Sequence, residues 1–190
     1  RSDSPEWTAS SAFTLDHALD GEWYLDITGL DTVAVVSVNG SVVLEAANCF
    51  RRYRPYVSKA LKQGRNEISI LFRSNIKEAA QRQKAQPFYI PYAKQNCPIP
   101  DGNMLRKPAC HFGWDWNLAI APFGLYGSIQ LKRMNSVRIE SIQAFQHHND
   151  DGSIDVEVDV CLAGANTWNA DKVPYEITIC SETRASVEDS

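Results

Sequence analysis

Residues 32–38 (TVAVVSV) run without interruption into Asn39-Gly40 and out again through residues 41–44 (SVVL). β-Branched side chains favour an extended backbone, and an Asn-Gly pair between two such segments supplies the positive-φ residues of a tight hairpin turn. A chain that contains this hairpin must cover its apolar face with more sheet. The same period-two alternation of apolar and polar residues recurs at residues 22–28 (EWYLDIT), 67–72 (EISILF) and 126–131 (YGSIQL), and again at residues 137–145, 154–162 and 175–180. Turn signals such as Gly29, Gly64 and residues 149–152 (NDDG) separate these segments, and strand spacing is about ten residues, as in an all-β sandwich.

Helical composition is confined to residues 76–86 (IKEAAQRQKAQ), stopped by Pro87, whose thin apolar stripe predicts a short surface helix; residues 56–61 (YVSKAL) suit one helical turn. Residues 87–108 carry prolines at 87, 91, 98, 100 and 108. Proline has no N–H to give a sheet ladder, so this stretch must be a long irregular loop, the kind of segment on a sandwich that carries binding. The strand pattern restarts after Met134. Two domains are therefore expected, residues 1–134 and 135–190, the second with too few strands to close a sandwich.

With 19 Lys and Arg against 23 Asp and Glu, the chain has no general attraction for phosphate backbones or anionic lipid, so nucleic acid and membrane are not its expected partners. No run approaches the ~20 apolar residues of a bilayer span, and residues 1–12 lack the apolar centre of a signal peptide. The five cysteines (Cys49, Cys97, Cys110, Cys161 and Cys180) are odd in number and widely spaced, which suits unpaired thiols and a reducing, cytoplasmic compartment. His111 beside Cys110 lacks the further ligands of a zinc site, and His147 and His148 would face opposite sides of a strand, so no metal is assigned. Nor is any cofactor, since neither a phosphate-cradling glycine loop nor a Gly-x-Ser-x-Gly elbow occurs. Residues 51–54 (RRYR) read as a solvated strand face or an interdomain salt bridge.

Two segments resemble the family-two glycoside hydrolases, and within them the β-mannosidases. Residues 29–40 (GLDTVAVVSVNG), 48–53 (NCFRRY) and 61–66 (LKQGRN) are similar to strands of the jelly-roll, galactose-binding-like domain at the front of those enzymes. Residues 106–116 (RKPACHFGWDW) resemble the more specific β-mannosidase stretch ending in Phe-Gly-Trp-Asp-Trp. The likeness covers about residues 7–135 and extends loosely into the start of an immunoglobulin-like sandwich. It departs in two places: residues 117–120 (NLAI) stand where the family continues Gly-Pro, and the first jelly-roll strands, which should precede Trp7, are missing.

The resemblance implies a jelly-roll β-sandwich followed by part of an immunoglobulin-like one, forming a non-catalytic N-terminal fragment of a retaining exo-β-mannosidase. Its partners would be a β-mannoside or oligosaccharide and a catalytic barrel absent from this chain. Trp114 and Asp115 would reach the pocket holding the sugar, with Arg106 or Lys107 orienting Asp115. The residue types suit that task, because a sugar presents apolar C–H faces and a rim of hydroxyls to an aromatic platform and a few polar groups. Phe112 and Trp116 are expected to pack in the core, whereas an Asp between two Trp suits a core poorly. Asn66-Glu67 mimics the family's acid/base pair but opens a front-domain strand without a second carboxylate in range, so no residue here is assigned a catalytic role. The competing reading is a free-standing carbohydrate-binding jelly roll whose loop, residues 87–117, holds glycan unaided. A β-galactosidase or β-glucuronidase front domain is disfavoured by Phe-Gly-Trp-Asp-Trp.

Overall fold

The computed structural model describes residues 5–16, 19–116, 118–134, 137–164 and 176. The chain divides into two compact units, Arg1–Asn135 and Ser136–Ser190, and among the described residues the secondary structure is mostly strand. The alternating segment at residues 175–180 lies outside the described residues, apart from residue 176. No helix among the described residues is long and apolar enough to cross a membrane.

The first unit is an all-β sandwich. One sheet has four antiparallel strands in the order β1 (Trp7–Leu15), β6 (Gly64–Phe72), β4 (Val33–Val38), β5 (Ser41–Ala47). Two shorter antiparallel pairs complete it: β2 (Glu22–Ile27) with β8 (Ile129–Met134), and β3 (Leu30–Asp31) with β7 (Gly124–Leu125). Alternation sends Ala34, Val36 and Val38 of β4, with Leu25 and Ile27 of β2, into one core joined by Ile70 and Phe72 of β6. At the β4–β5 turn Asn39 has φ 49° and Gly40 φ 81°, the pair of positive values a two-residue hairpin requires. Behind it Asn66, buried to 1 % exposure, accepts from the Asn39 side chain at 2.8 Å and donates to the carbonyls of Lys62 and Gly64. Asn66-Glu67 is thus part of a turn clamp.

Three elements depart from the sequence reading. β1 was not anticipated, because its Ser- and Ala-rich sequence has little intrinsic strand preference; it forms by pairing with β6 along its whole length, from Trp7 opposite Phe72 to Leu15 opposite Gly64. The last strand of the unit begins at Ile129, not Tyr126. Gly127 is pressed so close to Thr28 that a Cβ on it would lie 2.3 Å from the Thr28 carbonyl oxygen, and residues 126–128 are spent on this crossing. The helix α1 spans Asn75–Lys84 and is capped by Ser74, whose hydroxyl accepts from the Lys77 amide. It is no free surface helix. Asn75, Ala79 and Gln83 form a buried stripe, and Ala79 joins Val33, Leu105, Phe112 and Ala121 in a second core.

Residues 51–54 form salt bridges rather than a wholly solvated face. Arg52 pairs with the buried carboxylate of Asp26 through both side-chain oxygens, Arg54 approaches the same group at 3.7 Å, and Lys132 of β8 reaches it at 2.6 Å. Among the described residues these salt bridges tie the segment after β5 to β2 and β8.

The second unit contains a hairpin of β9 (Arg138–His148) and β10 (Ile154–Ala163), closed by a turn in which Asn149 and Ser153 share backbone hydrogen bonding. Its register places Ile154, Val156, Val158, Val160 and Leu162 on one face with Ile139, Ile142 and Ala144, while Asp155, Glu157 and Asp159 take the other.

Candidate functional site

The irregular stretch after α1 is built around Phe112. Pro108 opens a 3-10 turn, Ala109–Phe112, in which the His111 amide donates to Pro108 O at 3.1 Å and the Gly113 amide donates to Cys110 O at 3.1 Å. The turn delivers Phe112 into the second core at 1 % exposure. Its ring lies flat against Gly102, where an added Cβ would stand 2.2 Å from Phe112 Cγ. Only hydrogen fits there.

Gly113 then swings the chain outward with φ 115° and ψ 158°, a conformation essentially reserved for glycine. Its backbone presses on the Pro98 ring, and its carbonyl accepts from the Cys97 thiol at 3.4 Å. The proline-rich stretch is thereby fixed to the aromatic motif, an attachment reinforced by the Ile99 amide on Phe112 O. Asn103 holds Pro91 O, and Gln83 of α1, in the amide orientation that satisfies both groups, pairs with the backbone N–H and C=O of Ile90. Trp114 (41 % exposed), Asp115 and Trp116 (80 % exposed) form the projecting tip. The chain returns through Ala121, whose amide donates to His111 O at 2.8 Å and closes the neck of the loop.

Under the neck lies a buried ionic group. The Lys107 ammonium, 5 % exposed as a residue, stands 3.1 and 3.2 Å from the two carboxylate oxygens of Asp31, donates to the Pro122 carbonyl, and lies 5.7 Å from the centroid of the Phe112 ring. Burial pushes the Lys107 pKa down and the Asp31 charge opposes that fall. His111 Nδ1 lies 3.7 Å from Asp31 Oδ2 and is itself buried without a hydrogen-bond partner. Burial first, and the Lys107 charge second, lower the His111 pKa, while the Asp31 charge opposes them. A cavity of about 460 Å³ opens beside this group, lined by Asp31, His111, Phe123, Leu125 and Tyr126 among others.

The tip carries the motif residues outward, and the expectations for Trp116 and Lys107 need correction. Trp116 is exposed rather than packed in the core, because Phe112 already fills the space against Gly102. Lys107 does not serve Asp115; its ammonium is committed to Asp31 and Pro122. Arg106 is exposed, its carbonyl accepts from the Cys49 amide, and among the described residues no ion pair joins it to Asp115. The sequence reading gave Asp31 no functional role and weighed His111 only as a metal ligand. Among the described residues no group of three His, Cys, Asp or Glu side chains is placed to hold a metal ion. The tip offers an exposed carboxylate beside exposed indoles on a rigid base. Such a surface can accept hydrogen bonds from hydroxyls and cover an apolar ring face.

Residues 2–127 match the family described as glycosyl hydrolase 2 galactose-binding domain-like. Over 138 residues the chain is 34 % identical to a β-mannosidase of Capra hircus, a match covering 68 % of this chain and 15 % of the relative. A β-mannosidase B of Aspergillus fumigatus is 30 % identical over 166 residues, 84 % of this chain and 19 % of its own. Among solved structures, the β-D-mannosidase of Dictyoglomus thermophilum superposes with a TM-score of 0.67 at 25 % identity, over 82 % of this chain and 19 % of that one. The chain thus spans less than a fifth of the length of these relatives.

Proposed function

We propose, because this chain belongs to the glycosyl hydrolase 2 galactose-binding domain-like family, that it is the non-catalytic N-terminal part of a retaining exo-β-mannosidase, with the second unit as the beginning of an immunoglobulin-like sandwich. The parent would hydrolyse terminal β-D-mannosides in a barrel that this chain does not include. There one glutamate attacks the anomeric carbon while the other protonates the leaving oxygen and then activates water. This part supplies recognition: Trp114 lies against the sugar ring, Asp115 accepts from its hydroxyls, and Arg106 lines the approach.

The observation that carries the reading is the tip itself. Within the Phe-Gly-Trp-Asp-Trp segment, Phe112 is buried and Trp114 and Asp115 are exposed. Aromatic and carboxylate groups held out on an anchored loop suit a ligand contributed from elsewhere. In the parent enzyme, Asp115→Ala removes a charge-assisted contact of about 1.5–3 kcal/mol, so kcat/KM for an aryl β-mannoside falls tenfold or more. A value unchanged within about twofold would remove Asp115 from the pocket.

A further inference from the structure

We infer that Lys107 is a positioning residue for the Trp114–Asp115 tip, acting through a three-way junction with Asp31 and the Pro122 carbonyl. The inference rests on the reading that the tip meets the sugar.

Lys107 lies on the entering limb of the loop, Pro122 on the returning limb, and Asp31 on β3 of the sandwich. One ammonium joins all three. Its three donors match three acceptors, the two Asp31 oxygens and the Pro122 carbonyl. The Asn75 side chain of α1 donates to the same Pro122 oxygen at 3.1 Å, so the helix converges on the junction as well. Just beyond it, the Ala121 amide on His111 O closes the neck, and everything outside that neck is the tip. Lys107 touches neither Trp114 nor Asp115; it fixes the two limbs from which they extend.

The choice of lysine points the same way. A buried ion pair seldom adds net stability over apolar residues of similar volume, because the desolvation cost offsets the Coulombic gain. A methionine here could fill the space against Phe112. It could not hold Asp31 and Pro122 O at fixed distances, so the ammonium specifies a geometry that packing alone would leave free.

The test is amide hydrogen exchange on the 190-residue chain, read at Gly113 and Ala121 against Val36 and Ile70 in the sheet. Lys107→Met should speed exchange at Ala121 and Gly113 by about tenfold or more relative to the sheet amides. Lys107→Met combined with Asp31→Asn leaves no unpaired buried charge, so it should recover the melting temperature while Ala121 remains exposed to exchange. Recovery of Ala121 protection in that double variant would overturn the proposal, making Lys107 merely a charge partner. So would an Ala121 amide that already exchanges freely in the unsubstituted chain. In the parent enzyme the double variant should lower kcat/KM tenfold with its sheet amides unchanged. Failure of Asp115→Ala there would sink the sugar reading and leave the exchange result standing.

Discussion

Gly113→Ala isolates the geometry that turns the aromatic tip outward. Two costs add. The backbone at φ 115° and ψ 158° lies where an alanine is strained by about 1–3 kcal/mol, and the new methyl would meet the Pro98 ring at 2.3 Å and Asn96 O at 3.1 Å, an overpacking of about 1–3 kcal/mol. Together they destabilise the first unit by about 2–6 kcal/mol. Gly40→Ala is the control. Gly40 also has positive φ, 81°, but nothing lies within 4 Å of its would-be Cβ, so only a backbone cost of about 1–2 kcal/mol applies. Thermal unfolding of both variants by circular dichroism should place Gly113→Ala roughly 10 °C below Gly40→Ala, taking about 4 °C per kcal/mol for a unit of this size. Should the two melt within about 3 °C of each other, the Pro98 contact does not constrain the turn, and the account of how the tip is aimed would be wrong.

Asp26 should govern the acid limb of stability. Hydrogen bonds from Arg52, opposed by burial and helped by Lys132, hold its carboxyl well below the usual carboxylate range. A group whose folded pKa is depressed contributes stability above its unfolded pKa, near 4, and loses that contribution as the pH falls further. Denaturant titrations at pH 7 and pH 3 should show this loss, and Asp26→Asn should flatten it while costing about 1–3 kcal/mol at pH 7, since Arg52 and Lys132 remain half exposed. Asn66→Ala should cost about 2–3 kcal/mol in urea unfolding through the hydrogen bonds it strips from Lys62, Gly64 and Asn39. Glu67→Gln in the parent enzyme should leave kcat within about twofold, because that side chain is exposed on β6.

The local signals and the distant ones fared differently in the sequence. Asn39-Gly40 announced its hairpin because both residues carry the required positive φ themselves. Strand β1 was silent, since its nine residues are held by partners in β6 rather than by their own preference. Helix α1 looked superficial because its buried stripe is Asn75, Ala79 and Gln83, whose amides serve Pro122 and Ile90 rather than an apolar face. At the site, the Trp114–Asp115 pair stood out through its resemblance to the β-mannosidase motif, while the side chains that fix it did not. Asp31 and Lys107 are 76 residues apart, and nothing in either neighbourhood names the other. Trp116 misled for a simpler reason: aromatic bulk suggests burial, but Phe112 had already taken the one space available beside Gly102.

The crossing of Thr28 with Ser128, 100 residues apart, dictates the order in which this molecule can be completed. Strand β2 pairs with β8 on one edge and is bridged by Tyr53 and Tyr56 on the other, and Leu125 and Gly124 of β7 seat the edge that holds Asp31. During synthesis, the hairpin of β4 and β5 can close as soon as it emerges, whereas the β2–β8 ladder and the ionic junction must wait until residues 122–134 have left the ribosome. Long closures of this kind are slow. The tip is therefore translated before β8, one of the strands that steady it.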